Sequence, residues 1–265
     1  MKNKNTHNKT IWKIILILSI ILIIVAILLI GKSFTRHAGH DYKRGELMTT
    51  AAVQEIPSVS VSESELPENP IDFKALKKIN PDIYAWITIP DTNIDYAVAQ
   101  SGPDKDDFFY LSHNIEGKYE FKGTIYSEKQ NSKDFTDPVT VLYGHNMLDG
   151  SMFADLLKLQ DKQYFRKHKK IYIYTKGHIL TYDLIAAYTY DNRHILNTFD
   201  FTDKEDLNTY FESILSPPSM LFNVRKNATL DINSSKILTL STCTDNDSSS
   251  RFLVQGVLIS NERTQ

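Results

Sequence analysis

Between Ile11 and Ile30 the chain reads Ile-Trp-Lys-Ile-Ile-Leu-Ile-Leu-Ser-Ile-Ile-Leu-Ile-Ile-Val-Ala-Ile-Leu-Leu-Ile, an apolar run in which Lys13 is the single charge. A helix of roughly 20 apolar residues spans a bilayer core, and this run meets that length. Lys13 lies near one end, where a long stem carries its charge to water, and Trp12 suits the interface. A cleaved signal peptide has an apolar region of about 7 to 15 residues followed by a small-x-small site, and Gly31-Lys32-Ser33-Phe34 supplies no such site. The expectation is an uncleaved single-pass anchor at residues 11–30. Basic residues flank both ends, so the orientation rests on the short polar tail of residues 1–10, read as cytoplasmic, and the large part that follows, read as extracellular at the cell membrane.

After the apolar run, residues 31–69 show no sustained period. Their last part, Ser58 to Pro70, is rich in Ser, Glu and Pro. It reads as a linker that lifts a domain off the membrane. What remains, residues 70–262, is one domain's worth of chain and long enough to bury a substantial core. A net charge of −2 gives no basic surplus for nucleic acid. Glycine is sparse, and no glycine-rich loop precedes a helix to cradle a phosphate.

The domain reads as many short strands with a few helices set into the connections. Asp72 caps a short amphipathic helix to Ile79, with Pro81 beyond it. Tyr84–Ile89 and Ile94–Ala99 read as strands around a turn at Pro90–Asn93. Gly123–Ser127 and Val139–Tyr143 are further strands, and Ser151–Leu157 reads as a helix. Ile171–Thr175 and Ile179–Tyr188 form a hairpin across Lys176-Gly177. A helix begins at Asp203 and must end before Pro217-Pro218. Ile237–Thr242 and Phe252–Ile259 are the last strands, separated by a polar run read as a turn. The pattern implies a mainly β fold with inserted helices, a closed or nearly closed barrel.

The chain has one cysteine, so no intramolecular disulfide supports the fold. Cys243 ends the strand Lys236-Ile237-Leu238-Thr239-Leu240-Ser241-Thr242, and Arg251 opens the next. A thiol at a strand end with a guanidinium close by can attack a carbonyl, with the oxyanion held by charge-assisted hydrogen bonds. A base is then needed. Of eight histidines, His7 lies in the tail, His37 and His40 in the linker, His168 in the basic run Arg166–Lys170 read as a solvated face, and His178 in a hairpin turn. His113 and His194 fall in polar loops and stay in the field. His145 is favoured, because the apolar strand Val139–Tyr143 ends at Gly144-His145-Asn146 and presents it as Cys243 is presented. Asp245 and Asp247 lack the glycine and closing glutamate of a calcium loop, and no cysteine and histidine set has zinc spacing, so no metal or cofactor is expected.

Together, Thr239-Leu240-Ser241-Thr242-Cys243, Arg251, Tyr143-Gly144-His145-Asn146 and the amino-terminal anchor resemble the sortases, the cysteine transpeptidases of Gram-positive bacteria. The Thr-Leu-Ser-Thr-Cys form is similar to that of class B members, as are residues 80–96 and the helix between Thr202 and Leu215. The resemblance covers roughly residues 71–260. It implies an eight-stranded barrel in which Cys243 attacks the carbonyl of a threonine in a sorting motif near the carboxyl end of a secreted surface protein. A thioester forms, and an amine of a cell-wall precursor (lipid II or peptidoglycan) resolves it. By position, Cys243 is the nucleophile, His145 the acid and base, and Arg251 the oxyanion clamp. Tyr143 and Ser241 would line the substrate pocket.

Two other readings use the same residues. A membrane-anchored cysteine protease would hydrolyse with Cys243 and His145, although the papain-type sequence around the nucleophile is absent and His precedes Cys in the chain. A non-catalytic surface binding module would need neither residue.

Overall fold

The computed structural model describes residues 66–244 and 247–265. The apolar run at 11–30 lies outside them, and among the described residues no helix is long and apolar enough to cross a membrane.

Among the described residues nine strands form one sheet: β1 (Ile83–Thr88), β2 (Asp95–Gln100), β3 (Ile125–Ser127), β4 (Val139–Tyr143), β5 (Lys170–Thr175), β6 (His178–Asp191), β7 (Phe222–Val224), β8 (Ile237–Thr244) and β9 (Asp247–Arg263). Their order is β5-β1-β2-β3-β4-β8-β9-β6-β7, and a further β5–β6 pairing closes eight of them into a ring, leaving β7 outside on β6. Closure removes the exposed edges that an open sheet would present. The wall is mostly antiparallel, but β2–β3 and β4–β8 run parallel. A parallel pair needs a long crossover. The crossover from β4 to β8 therefore contains β5, β6, β7 and the remaining helices.

Strand alternation divides the apolar residues into two cores. Leu142, Leu238, Leu240, Phe252 and Val254 point into the barrel and pack with Ile87, Ile125, Phe153 and Ile173. Val139, Val141, Ile237 and Leu253 lie on the opposite face of the same strands and pack with Tyr188, Leu207, Tyr210, Phe211 and Ile214. The last four belong to the longest helix among the described residues.

Among the described residues there are four α-helices: α1 (Phe73–Ile79), α2 (Lys162–Lys167), α3 (Ile195–Thr198) and α4 (Lys204–Leu215). In α4 the Asp203 carboxylate accepts from the Glu205 and Asp206 amides, and two acidic residues occupy the first turn, where the helix dipole favours them. Its buried residues Leu207, Tyr210, Phe211 and Ile214 follow the spacing of one helical face. Asp72 caps α1 through the Ala75 amide, as its sequence suggests.

Three expectations are corrected. The helix expected at 151–157 is a 3-10 helix at Ala154–Gln160 followed by α2. Its buried Leu156 and Leu159 sit three apart, the repeat of the tighter helix. The polar run after Cys243 is not simply a turn, because β8 continues to Thr244 and β9 starts at Asp247, paired with it. His168 is not solvated: it is 5% exposed, stacks on Tyr164 at 3.8 Å, and its Nδ1 lies 2.8 Å from the Tyr164 carbonyl.

The two ends of the described domain are tied together. The Gln265 amide donates to the Pro67 carbonyl at 3.0 Å, and the Gln265 side chain donates to Leu66. Asn69 donates to the Thr175 carbonyl and to Thr264, which is itself buried.

Candidate active site

Backbone register brings the sequence-singled residues together. Along the parallel pair β4–β8, Tyr143 stands beside Ser241, and the Gly144 amide donates to the Ser241 carbonyl at 3.2 Å. His145 and Cys243 each follow two residues later, at the ends of strands about 4.8 Å apart. Across the antiparallel pair β8–β9, Cys243 faces Arg251 directly. Residues opposite one another share a face, as do residues two apart on one strand. Tyr143, Ser241, Cys243 and Arg251 thus occupy the outer face of three adjacent strands, at the end of the layer beneath α4.

Cys243 and Arg251 are half-buried, whereas Ser241 is 5% exposed. Ser241 shares the thiol's face but is set deeper than a rim residue. Tyr143 packs on the outer core and stacks on Tyr126 at 5.3 Å. Burial pushes the Tyr126 phenol above its usual range, Glu128 adds to this, and the Arg251 charge opposes it. Burial and the Glu128 carboxylate likewise push the Tyr143 phenol up. Both phenols stay neutral beside the thiol, so neither competes with a histidine as a base.

His145 leaves the strand through Gly144, where glycine is required by a close approach. A Cβ there would lie 2.4 Å from Ile125 Cδ1 and 2.7 Å from the Phe153 ring. The imidazole Nε2 sits 2.9 Å from the Leu111 carbonyl. A carbonyl oxygen brings no proton, so the bond places the hydrogen on Nε2. In the neutral ring, Nδ1 is then the basic nitrogen. Phe121 stacks on the imidazole at 5.3 Å and 22°.

The other two histidines have different surroundings. His113 bonds through Nδ1 to the Phe109 carbonyl at 2.7 Å and stacks on Phe109, inside its own loop. His194 pairs through Nε2 with the buried Glu128 carboxylate at 2.7 Å and stacks on the far side of Tyr143 at 6.1 Å. Sequence reasoning gave no signal for Glu128, Leu111 or Phe121. A backbone carbonyl has no side-chain signature, and Phe121 lies in a loop of ordinary composition.

The family described as Sortase domain matches residues 87–259. The chain belongs to the sortase family. It is 34% identical over 192 residues to the sortase B of Listeria monocytogenes, covering 71% of this chain and 74% of that one. The barrel superposes on the X-ray structure of Clostridium perfringens sortase B with a TM-score of 0.63 at 31% identity, covering 71% of this chain and all of that one. A Staphylococcus aureus sortase B–substrate complex matches at a TM-score of 0.62 and 27% identity, covering 71% of this chain and 84% of that one. These neighbours place the chain among the class B sortases. The family's activity is cysteine transpeptidation that anchors surface proteins.

Proposed function

We propose that this sortase cleaves a sorting motif near the carboxyl end of secreted surface proteins after a threonine, holds the acyl group on Cys243, and transfers it to an amine of a cell-wall precursor. The observation that supports this most is the Cys243–Arg251 cross-strand pair beside the Gly144-His145 strand end.

Cys243 Sγ, as thiolate, attacks the threonine carbonyl carbon, and the carbonyl π electrons move to oxygen. Arg251 offers planar, always-charged donors to that oxyanion. Collapse breaks the C–N bond, and the His145 imidazolium gives its Nδ1 proton to the departing amine, leaving a thioester. The incoming amine attacks the thioester, Nδ1 takes its proton, and collapse of the second oxyanion releases Cys243 and a new amide. Throughout, Nε2 keeps its hydrogen on Leu111. Tyr143 and Ser241 line the approach to the thiol. Ile11–Ile30 anchors the enzyme with its short tail in the cytoplasm, and residues 31–69 give the catalytic domain reach on the outside.

The test uses the full-length protein in detergent, candidate sorting peptides, and mass spectrometry of Cys243. A thioester adduct ending at the peptide's threonine, converted to an amide by an added amine, is the expected result. Absence of the adduct on wild type, or an adduct elsewhere that survives Cys243→Ala, overturns the proposal. Release of free acid at a rate that added amine leaves unchanged makes the enzyme a protease instead.

A further inference from the structure

Phe121 is 65% exposed, yet it lies against the His145 imidazole. Its position is built with care by the chain around it. The Gly123 amide donates to the Glu120 carbonyl at 2.9 Å, closing a turn whose two corner residues are Phe121 and Lys122. Phe121 covers the face of His145, while Lys122 Nζ reaches Asp149 at 2.7 Å, on the loop that follows His145. Gly123 has φ 62°, and a Cβ there would lie 2.5 Å from the carbonyl oxygens of Tyr110 and Leu111. The turn therefore seats directly on the backbone of Leu111, whose carbonyl holds His145 Nε2. The Thr124 amide fixes it further by donating to Tyr110 O at 2.9 Å, and the Thr124 hydroxyl by donating to His113 O at the same distance.

Two segments packed on one another thus grip the imidazole, Leu111 at its edge through a carbonyl and Phe121 on its face through an aromatic ring. We propose that Phe121 is a positioning residue for His145: it holds the ring in the plane that keeps Nε2 on Leu111 and Nδ1 available, and its π face stabilises the imidazolium that His145 becomes. The inference rests on His145 being the acid and base proposed above. An aromatic face attracts a cation, whereas an aliphatic side chain of similar size fills the space without that attraction. Tight binding of the sorting peptide does not require this contact, so the effect belongs in kcat.

The experiment compares Phe121→Leu, Phe121→Ala and Phe121→Trp with wild type and with His145→Ala, in full-length enzyme, measuring kcat and KM for peptide-to-amine transfer and the thermal midpoint. Leu and Ala are expected to lower kcat about fivefold at unchanged KM and unchanged midpoint. Trp restores kcat to wild type. In Phe121→Ala the Nε2-bound proton of His145, followed by nitrogen-edited NMR, exchanges with water faster. Wild-type kcat in Phe121→Leu, or a change confined to KM, overturns the inference while leaving the catalytic reading intact, provided His145→Ala is inactive. Activity surviving in His145→Ala overturns the catalytic reading itself, and this inference with it.

Discussion

The inside of the barrel and the layer outside it are built from opposite faces of the same strands. Inside, β4, β8 and β9 contribute Leu142, Leu238, Leu240, Phe252 and Val254, each fully buried. Outside, the same strands contribute Thr239 and Gln255 next to Leu253, and these are as deeply buried. Thr239 donates to Gln255 Oε1 at 2.7 Å and contacts the Tyr210 hydroxyl of α4 at 2.9 Å, while Gln255 donates to Tyr188 at 3.0 Å and to Tyr210 at 3.2 Å. Buried amides and hydroxyls are tolerated when paired and costly when not. On these three strands the inner face is filled mainly by apolar packing, and a directional bond of the inner core, Tyr84 Oη to Ser127 Oγ at 2.8 Å, lies on other strands. On the outer face, directional bonds cross-link β8, β9, β6 and α4 just below Ser241, Cys243 and Arg251. Stability and chemistry are thus assigned to the two sides of one wall by a two-residue repeat.

That division breaks if the two faces respond alike. Leu238→Ala, in the interior, is expected to cost about 2–5 kcal/mol in urea unfolding. Turnover per folded molecule should stay at the wild-type level. Tyr210→Phe keeps the ring and removes the hydroxyl from the outer network, for about 0.5–1.5 kcal/mol. Here kcat should fall although less stability is lost. A Tyr210→Phe enzyme with wild-type kcat would reduce the network to packing.

The smallest effect tests a place belonging to neither face. Partial burial pushes the Asp149 carboxyl up, but the Lys122 ammonium and the Ser151 hydroxyl and amide outweigh it and bring the group down to about 2. A carboxyl depressed by folding adds stability above its unfolded value near 3.9, and that stability disappears as pH falls through the folded value. Asp149→Asn should therefore lower stability near neutrality by that contribution and flatten the loss of stability between about pH 4 and pH 2. An unaltered acid limb would show that the Lys122–Asp149 bridge does not hold the loop after His145.

Much of this was legible in residue order. Val139–Tyr143 coincides with β4 as read, since five consecutive β-formers bounded by Pro138 and Gly144 leave little choice. Asp203 and Pro217 bracket α4 for equally local reasons. Cys243 and Arg251 were recognisable as strand-end residues facing one another, which the register bears out, but the ladder that continues beyond them was not. It depends on β8 and β9 continuing into Asp- and Ser-rich chain with weak strand preference, which β6 holds in the sheet by pairing Asp191 with Ser250 and Tyr190 with Arg251. β7 escaped notice because three residues, Phe222 among them exposed, carry no period to read. Residue order favoured His145 over His113 and His194 through its strand-end position, and the partners that further distinguish them are distant in sequence, Leu111 for His145 and Glu128 for His194.

The hydrogen bonds that join Gln265 to Leu66 and Pro67 put the domain's exit beside its entrance. A short peptide bridge there, with new termini opened in an exposed turn such as Lys176-Gly177, would give a circularly permuted chain that keeps the wall intact apart from the β5–β6 link at that turn.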